Sequence, residues 1–494
     1  MVFFITRFAR QMVMQALPAL AVLLGLLAAS DIQWSSVLRG ILVLVTALVF
    51  GSILSYLRFK FCISEDTVLV RSGVMHREEL SVDFNRIQNI TIKEPFYMRP
   101  FGLALLSMDT AGSQKKEIIL GGIARPLALT LRNTILAGTP PAQNADVDQP
   151  DGRIEPELLL DRGWRDIVIY GLCANFLLWI AVAFGAVGGS AEYSKAFYQW
   201  LSSRIALVDY LSALHSDGNV VLGLLVIIAL VFAAMLLLPI ISVIGALLRH
   251  HNYRLTVNGE TYYKNSGLLN RRDESLKRHK IQAVVWKQNF VARWFGRINL
   301  QLRLTSVAVN PAVQLPTGPG SSFLVPALRP EEATALTTEF QPGCQPDQAR
   351  FSSVDRRRYT LKTLGLRWLP LIVGVTIIPI ILLSWKFVLL LPIALGCAWP
   401  VVHQYWKKLG YAVVGDYGFV RTGFVGSQTT VFPLFKVQRI DVRQTPFQRR
   451  AGLATLAIHL ASHSLTVPYM RVEDVERFRD LALYHVESTD RPWY

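Results

Sequence analysis

Arg86-Ile87-Gln88 recurs as Lys280-Ile281-Gln282 and again as Lys436-Val437-Gln438. Working outward, a glycine lies fifteen residues before each glutamine (Gly73, Gly267, Gly423) and another lies fourteen residues after it (Gly102, Gly296, Gly452). An arginine falls eleven residues after it: Arg99, Arg293, Arg449. Fixed offsets that agree three times mark an internal repeat, and a repeat decides the architecture before any propensity argument does. The chain carries three copies of one small domain.

Each copy has the same grain. Short β-rich runs open it: Phe59–Ile63 and Val68–Arg71, Tyr253–Val257 and Thr261–Lys264, Tyr411–Val414 and Phe419–Arg421. The first glycine ends a hairpin, alternation carries through the Arg/Lys-Ile/Val-Gln segment, and a strand pair follows the second glycine. A helical segment closes each copy, most clearly at 471–486, where Val475, Phe478, Leu481, Ala482 and Val486 share one face. The expectation is a small β barrel or sandwich capped by one C-terminal helix.

A strongly apolar block precedes each copy. The runs are 12–30 and 40–57, 167–189 and 219–248, and 368–385 and 387–402; none contains Asp, Glu, Lys or Arg. A bilayer-spanning helix needs roughly 20 apolar residues, and a soluble core helix would show a polar stripe. The expectation is a multi-pass α-helical membrane protein: six transmembrane helices as three hairpins, carrying the three domains. Hydrophobic content of 52% and positive mean hydropathy agree. Arg7, Arg10 and the small residues Ala28-Ala29-Ser30 imitate a signal peptide, but the next apolar run follows within ten residues, so the first is read as uncleaved.

The boundaries expected are hairpin 1 at 1–58, domain 1 at 59–137, a linker at 138–163, and hairpin 2 at 164–249 with an outer loop at 190–218. Domain 2 follows at 250–341, a linker at 342–360, hairpin 3 at 361–406 and domain 3 at 407–487. Arg58 and Lys60, Arg249, and Lys407 and Lys408 flank the apolar runs, and a basic-inside bias puts the domains in the cytoplasm. The 190–218 loop reads either as an interfacial helix or as an ordinary connection.

With these residues assembled, the chain resembles the bacterial pleckstrin-homology-like membrane proteins of the YdbS/YdbT type. The resemblance rests on the apolar block, the Arg/Lys-Ile/Val-Gln segment, and Phe101-Gly102-Leu103, Phe295-Gly296 and Gly452-Leu453. It departs from the pattern at Arg297 and Ala451. It implies a pleckstrin-homology-like barrel with a C-terminal helix and brings no activity with it.

No enzyme signature appears: no GxSxG, Walker loop, HExxH, or GxGxxG after a strand. His459 and His463 stand four apart in an expected strand and turn, where that spacing does not converge, and His250-His251 lie at an apolar run's exit. The four cysteines show no CxxC or metal spacing, so neither a cofactor nor a metal is expected. The apolar runs lack ionisable groups, which argues against a transporter. The formal charge of +16 remains. Anionic lipid headgroups are its natural counterpart; nucleic acid is not, for want of an aromatic-basic motif. Candidate headgroup or partner contacts are Arg99, Arg293, Arg449, Arg86, Lys280 and Lys436. The arginines at 99, 293 and 449 either bond turn carbonyls or reach phosphates. The repeated glutamines and glycines are read as structural. The function expected is non-enzymatic, with the domains binding lipid headgroups or a protein partner; a scaffold binding only protein, or a homo-oligomer, is the alternative.

Overall fold

The computed structural model describes residues 56–64, 67–73, 77–110, 118–137, 156–173, 237–304, 322–370, 372–373, 390–424 and 426–489, with 46, 50, 53 and 54 besides. Copy 1 comprises β1 (Lys60–Ile63), β2 (Thr67–Ser72) and β3 (Glu78–Asp83), then β4 (Ile87–Glu94), β5 (Leu103–Thr110) and β6 (Ile118–Ala124), then the helix Arg125–Ala137. Copy 2 comprises β7 (Glu157–Arg162), β8 (Tyr253–Asn258), β9 (Thr261–Ser266) and β10 (Arg271–Lys277), then β11 (Ile281–Gln288), β12 (Ile298–Leu304) and β13 (Ser322–Leu328), then the helix Pro330–Phe340. Copy 3 repeats this with β14 (Ser352–Ser353), β15 (Gly410–Val414), β16 (Tyr417–Thr422) and β17 (Ser427–Pro433), β18 (Val437–Arg443), β19 (Leu453–Leu460) and β20 (Ser464–Arg471), and the helix Val472–Glu487.

The sheets do not stop at the copies. β4 of copy 1 pairs with β10 of copy 2, giving one seven-stranded antiparallel sheet ordered β6-β5-β4-β10-β9-β8-β7. β11 of copy 2 pairs with β17 of copy 3 in the same way, giving β13-β12-β11-β17-β16-β15-β14. Two three-stranded sheets, β1-β2-β3 and β18-β19-β20, remain at the two ends of the row. Each inner barrel edge, which alone would expose unpaired N–H and C=O groups, is thereby covered by the next copy. The apolar core follows the hydrogen bonds: buried Phe419 and Val431 of copy 3 pack into one cluster with Tyr253, Leu300 and Phe340 of copy 2.

The closing helix of copy 2 is clamped to its sheet. The Trp286 indole donates to the Thr337 hydroxyl at 2.8 Å. Arg278 donates to the Tyr262 hydroxyl and pairs with Glu339, while Tyr262 meets Phe340 edge to face with centroids 4.8 Å apart. β7 lies inside the segment read as a linker. Its Leu159 and Leu160 pack against the apolar core, and Arg162 from the same strand pairs with Glu332 at the start of the closing helix.

The expectation of six membrane-spanning helices in three hairpins is corrected here. Among the described residues the chain is sheet-rich, its sheets are antiparallel, and no helix is long and apolar enough to cross a membrane. The helix Trp164–Leu172 ends after nine residues. Residues 237–250 are helical, and the residues before 237 lie outside the described ones. The helix Leu390–Lys408 has 19 residues and carries Pro400 within it, and His403, Gln404, Lys407 and Lys408 make its second half polar. Before it, Leu364–Trp368 is π-helical. The runs at 12–30 and 219–236, most of 40–57, 174–189 and 374–389, and the 190–218 loop lie outside the described residues.

Candidate functional site

The turn between the second and third glycine-bounded segments has one construction in all three copies. After β4, β11 and β18 the chain folds into a short helical turn: Arg99–Phe101, Phe290–Trp294 and Pro446–Arg449. The turn is then stopped by a left-handed glycine, at φ 61° for Gly102, 61° for Gly296 and 62° for Gly452. Glycine adopts this conformation without steric cost, which suits it to ending a helical turn. Its amide donates to the arginine carbonyl three residues back, at 3.0 Å for Arg99, 3.1 Å for Arg293 and 3.3 Å for Arg449. The fixed arginine-to-glycine spacing is the closure of this turn. In copy 3 Thr445 and Gln448 add a reciprocal cap.

The residue before each arginine points inward: Met98, Ala292 and Gln448 are buried. Anchoring that position turns its neighbours out. Phe96, Phe101, Phe290 and Phe295 are exposed, Trp294 is 83% exposed and Phe447 is 76% exposed. Arg99, Arg293 and Arg449 are exposed beside them. Each copy thus carries an arginine set among solvent-facing aromatic rings.

Two of the turns are tied to helices outside the sheets. The Asn289 amide donates to the Cys173 carbonyl at 3.1 Å, joining the copy 2 turn to the end of the helix Trp164–Leu172. Arg358, from the helix Arg356–Thr363, donates to the Phe447 carbonyl at 3.0 Å. Residues 237–250 present Leu237, Ile240, Ile241 and Ile244 to solvent.

At the first joint, Arg99 and Gly102 face the Gly267 hairpin of copy 2 across a cleft of about 530 Å³, also lined by Arg125, Arg254, Arg271 and His251. Arg125 is paired with Glu94 at 2.7 Å. Burial pushes the Asp273 carboxyl above its ordinary range, against Arg271 and with Glu94 adding to the rise. The second joint is basic too. Burial, with Arg293 and Arg421 beside it, pushes the Lys408 ammonium down, and Lys408 donates to the Gly426 carbonyl at 2.8 Å.

The other candidate positions separate by copy. The Arg86 side chain is 71% exposed and paired with Asp83 at 3.3 Å, whereas Lys280 and Lys436 are 6% and 5% exposed. Lys436 donates to the carbonyls of His279 at 2.6 Å and Ile281 at 2.7 Å, both in copy 2. Gln282 is buried and Gln438 is exposed; Gln88 lies on β4. Gly73, Gly267 and Gly423 have positive φ and close the hairpins that lead to β3, β10 and β17. His250 is buried, and its imidazole is held down to about 3 by burial and by Lys264, Arg249 and Arg272. His459 lies 3.4 Å from Asp441, and burial lowers His463 to about 4. Among the described residues no cluster of His, Cys, Asp and Glu is arranged to hold a metal ion.

The contacts that sequence reasoning missed are the joints. Their signal lay in β4 and β11, where Ile90-Thr91-Ile92 and Ala283-Val284-Val285 are buried on both faces.

Three β-rich units of six or seven strands, each closed by a C-terminal helix and joined edge to edge, define a tandem pleckstrin-homology-like protein. The chain belongs to the bacterial PH domain family, whose model matches residues 14–139, 217–341 and 364–485. Each match takes in the apolar segment as well as the barrel. The chain is similar to the UPF0699 transmembrane protein YdbT of Bacillus subtilis (strain 168), at 22% identity over 462 residues, covering 91% of this chain and 89% of that protein. No solved structure matches the chain.

Proposed function

We propose that this is a non-enzymatic, membrane-associated protein whose three PH-like domains press their aromatic-basic turns onto an anionic lipid surface. The observation that carries the reading is the threefold pairing of an exposed arginine with exposed rings, each beside a buried anchor. Aromatic side chains favour the boundary between headgroups and acyl chains. Arginine bonds phosphate in a bidentate fork. Each basic residue near an anionic surface contributes about 1 kcal/mol, and the chain's charge of +16 has the right sign. The relative's name, a transmembrane protein, agrees with a membrane setting. The basic residues Arg58, Lys60, Arg249, Lys407 and Lys408 support a reading in which that surface is the cytoplasmic leaflet of the inner membrane, where anionic lipid is found.

The test is an environment-sensitive fluorophore on a cysteine placed at Phe447 or Trp294 in the full chain, reconstituted with neutral or anionic phospholipid. A blue shift with anionic lipid is expected, weakened by salt and by changing Arg99, Arg293 and Arg449 together to Gln. A water-like spectrum in both lipids would end the lipid reading and leave exposed aromatic patches for a protein partner.

A further inference from the structure

The two internal joints are one joint used twice. In the first, Ile90 stands opposite Ser275; in the second, Val284 stands opposite Val431. In both, the residue two after the repeated glutamine meets the residue eight after the hairpin glycine. Three copies have three strands of each kind, and two of each are consumed. What remains among the described residues is β18 at one end of the row and β3 at the other, each at the edge of its sheet.

We propose that β18 of one chain pairs with β3 of a second copy, extending the row of domains head to tail in the register of the internal joints. That register sets Ile440 against Ser81, Val442 against Glu79 and Arg443 against Glu78.

Three observations support this occupant. First, β18 looks like a joint strand without its partner. Of the equivalent residues, Asn89, Ile92 and Ala283 are buried and Lys93, Trp286 and Lys287 are half-buried, whereas Arg439, Val442 and Arg443 are exposed. Second, the two edges differ in charge. β3 carries Glu78, Glu79 and Asp83, while β18 carries Arg439 and Arg443 about Asp441. Charges of one sign on both edges would only guard them against pairing; these edges attract each other. Third, Lys436 reaches across the second joint to the carbonyls of His279 and Ile281. Arg86 holds the same repeat position at the free end, in solvent. In the pairing it reaches the carbonyls of Phe435 and Val437 of the neighbouring chain. Such a contact is heterologous, so it propagates into a ring or a line of chains.

The test is cysteine cross-linking of the full chain in mild detergent, in a background with the four native cysteines replaced. Glu79→Cys with Val442→Cys is expected to give an oxidised ladder of dimers and higher species. Arg71→Cys with Val442→Cys, one strand further from the edge, is expected to give at least tenfold less. Arg71 lies opposite Glu79 on β2, so the control differs by a strand width alone. Equal yields from the two pairs would overturn the pairing. The native-cysteine chain gives an independent reading by light scattering. Multiples of 55.4 kDa are expected, shifted toward the monomer by Arg439→Glu with Arg443→Glu and restored by adding Glu78→Lys with Glu79→Lys. A monomer at every protein concentration would overturn it too.

Discussion

Lys436 of copy 3 donates its ammonium to the main-chain carbonyl of Ile281 in copy 2, at 2.7 Å. The same nitrogen reaches the His279 carbonyl, so one buried charge bridges the 3₁₀ turn of its neighbour. Two neutral carbonyls compensate an ammonium only in part. Burial is the main reason that its proton affinity falls to about 8, with Lys280 nearby adding to the fall.

Stability should therefore respond to pH through this residue. Below about pH 8 Lys436 is charged in the folded and the unfolded chain, and the whole cost of burying it is present. Between about 8 and the ordinary 10.5, the unfolded chain holds a proton that the folded chain has released. Stability then rises with pH, by at most about 3 kcal/mol. Urea unfolding from pH 7.5 to 10 should show a steeper rise in the wild type than in Lys436→Met, where only the other buried lysines, such as Lys287, contribute. Parallel pH curves for the two would sink the assignment.

The two glycine sets should differ in cost, although their spacing looks alike in sequence. At Gly267, φ is 111° and an added Cβ would lie 2.2 Å from the Asn270 carbonyl oxygen. At Gly296, φ is 61° and nothing lies within 4 Å of that position. Gly267→Ala should cost roughly 3 kcal/mol, because backbone must move as well as strain. Gly296→Ala should cost about 1 kcal/mol, the left-handed penalty alone, and Gly296→Asn less. Melting temperatures of the full-chain variants rank these directly. A Gly267→Ala variant as stable as Gly296→Ala would show that the hairpin relaxes freely.

Legibility in the sequence followed the range of the interaction. The three copies, their strands and their closing helices were readable because fixed offsets and local periodicity are written along the chain. The joints were less so. Ile90-Thr91-Ile92 is apolar enough to have neighbours on both sides, and Arg439-Ile440-Asp441-Val442-Arg443 alternates as an edge strand does, but neither pattern names its partner. Strand pairing uses main-chain groups that every sequence possesses. The charge-free runs suggested spanning helices, yet the described helix Leu390–Lys408 ends in polar residues and is not long and apolar enough to cross a membrane. The arginine and aromatic residues of the turns were visible. Which of them face outward was not, because a turn of four or five residues has no period from which to read a buried face. Met98, Ala292 and Gln448 settle it by packing.

The repeated glutamine gives the last contrast. Gln282 lies on β11 between β12 and β17 and is 1% exposed. Gln438 holds the same position on β18, at the sheet edge, and is exposed. Gln282→Ala removes a buried amide from a strand paired on both sides and leaves a void where it stood. That should cost about 1–3 kcal/mol. Gln438→Ala alters a surface position and should stay within about 0.5 kcal/mol. Thermal unfolding of the two single variants at low protein concentration decides between a role set by residue type and one set by neighbours. Equal losses at that concentration, where neighbouring chains are separate, would mean that the residue type and not its neighbours sets the role.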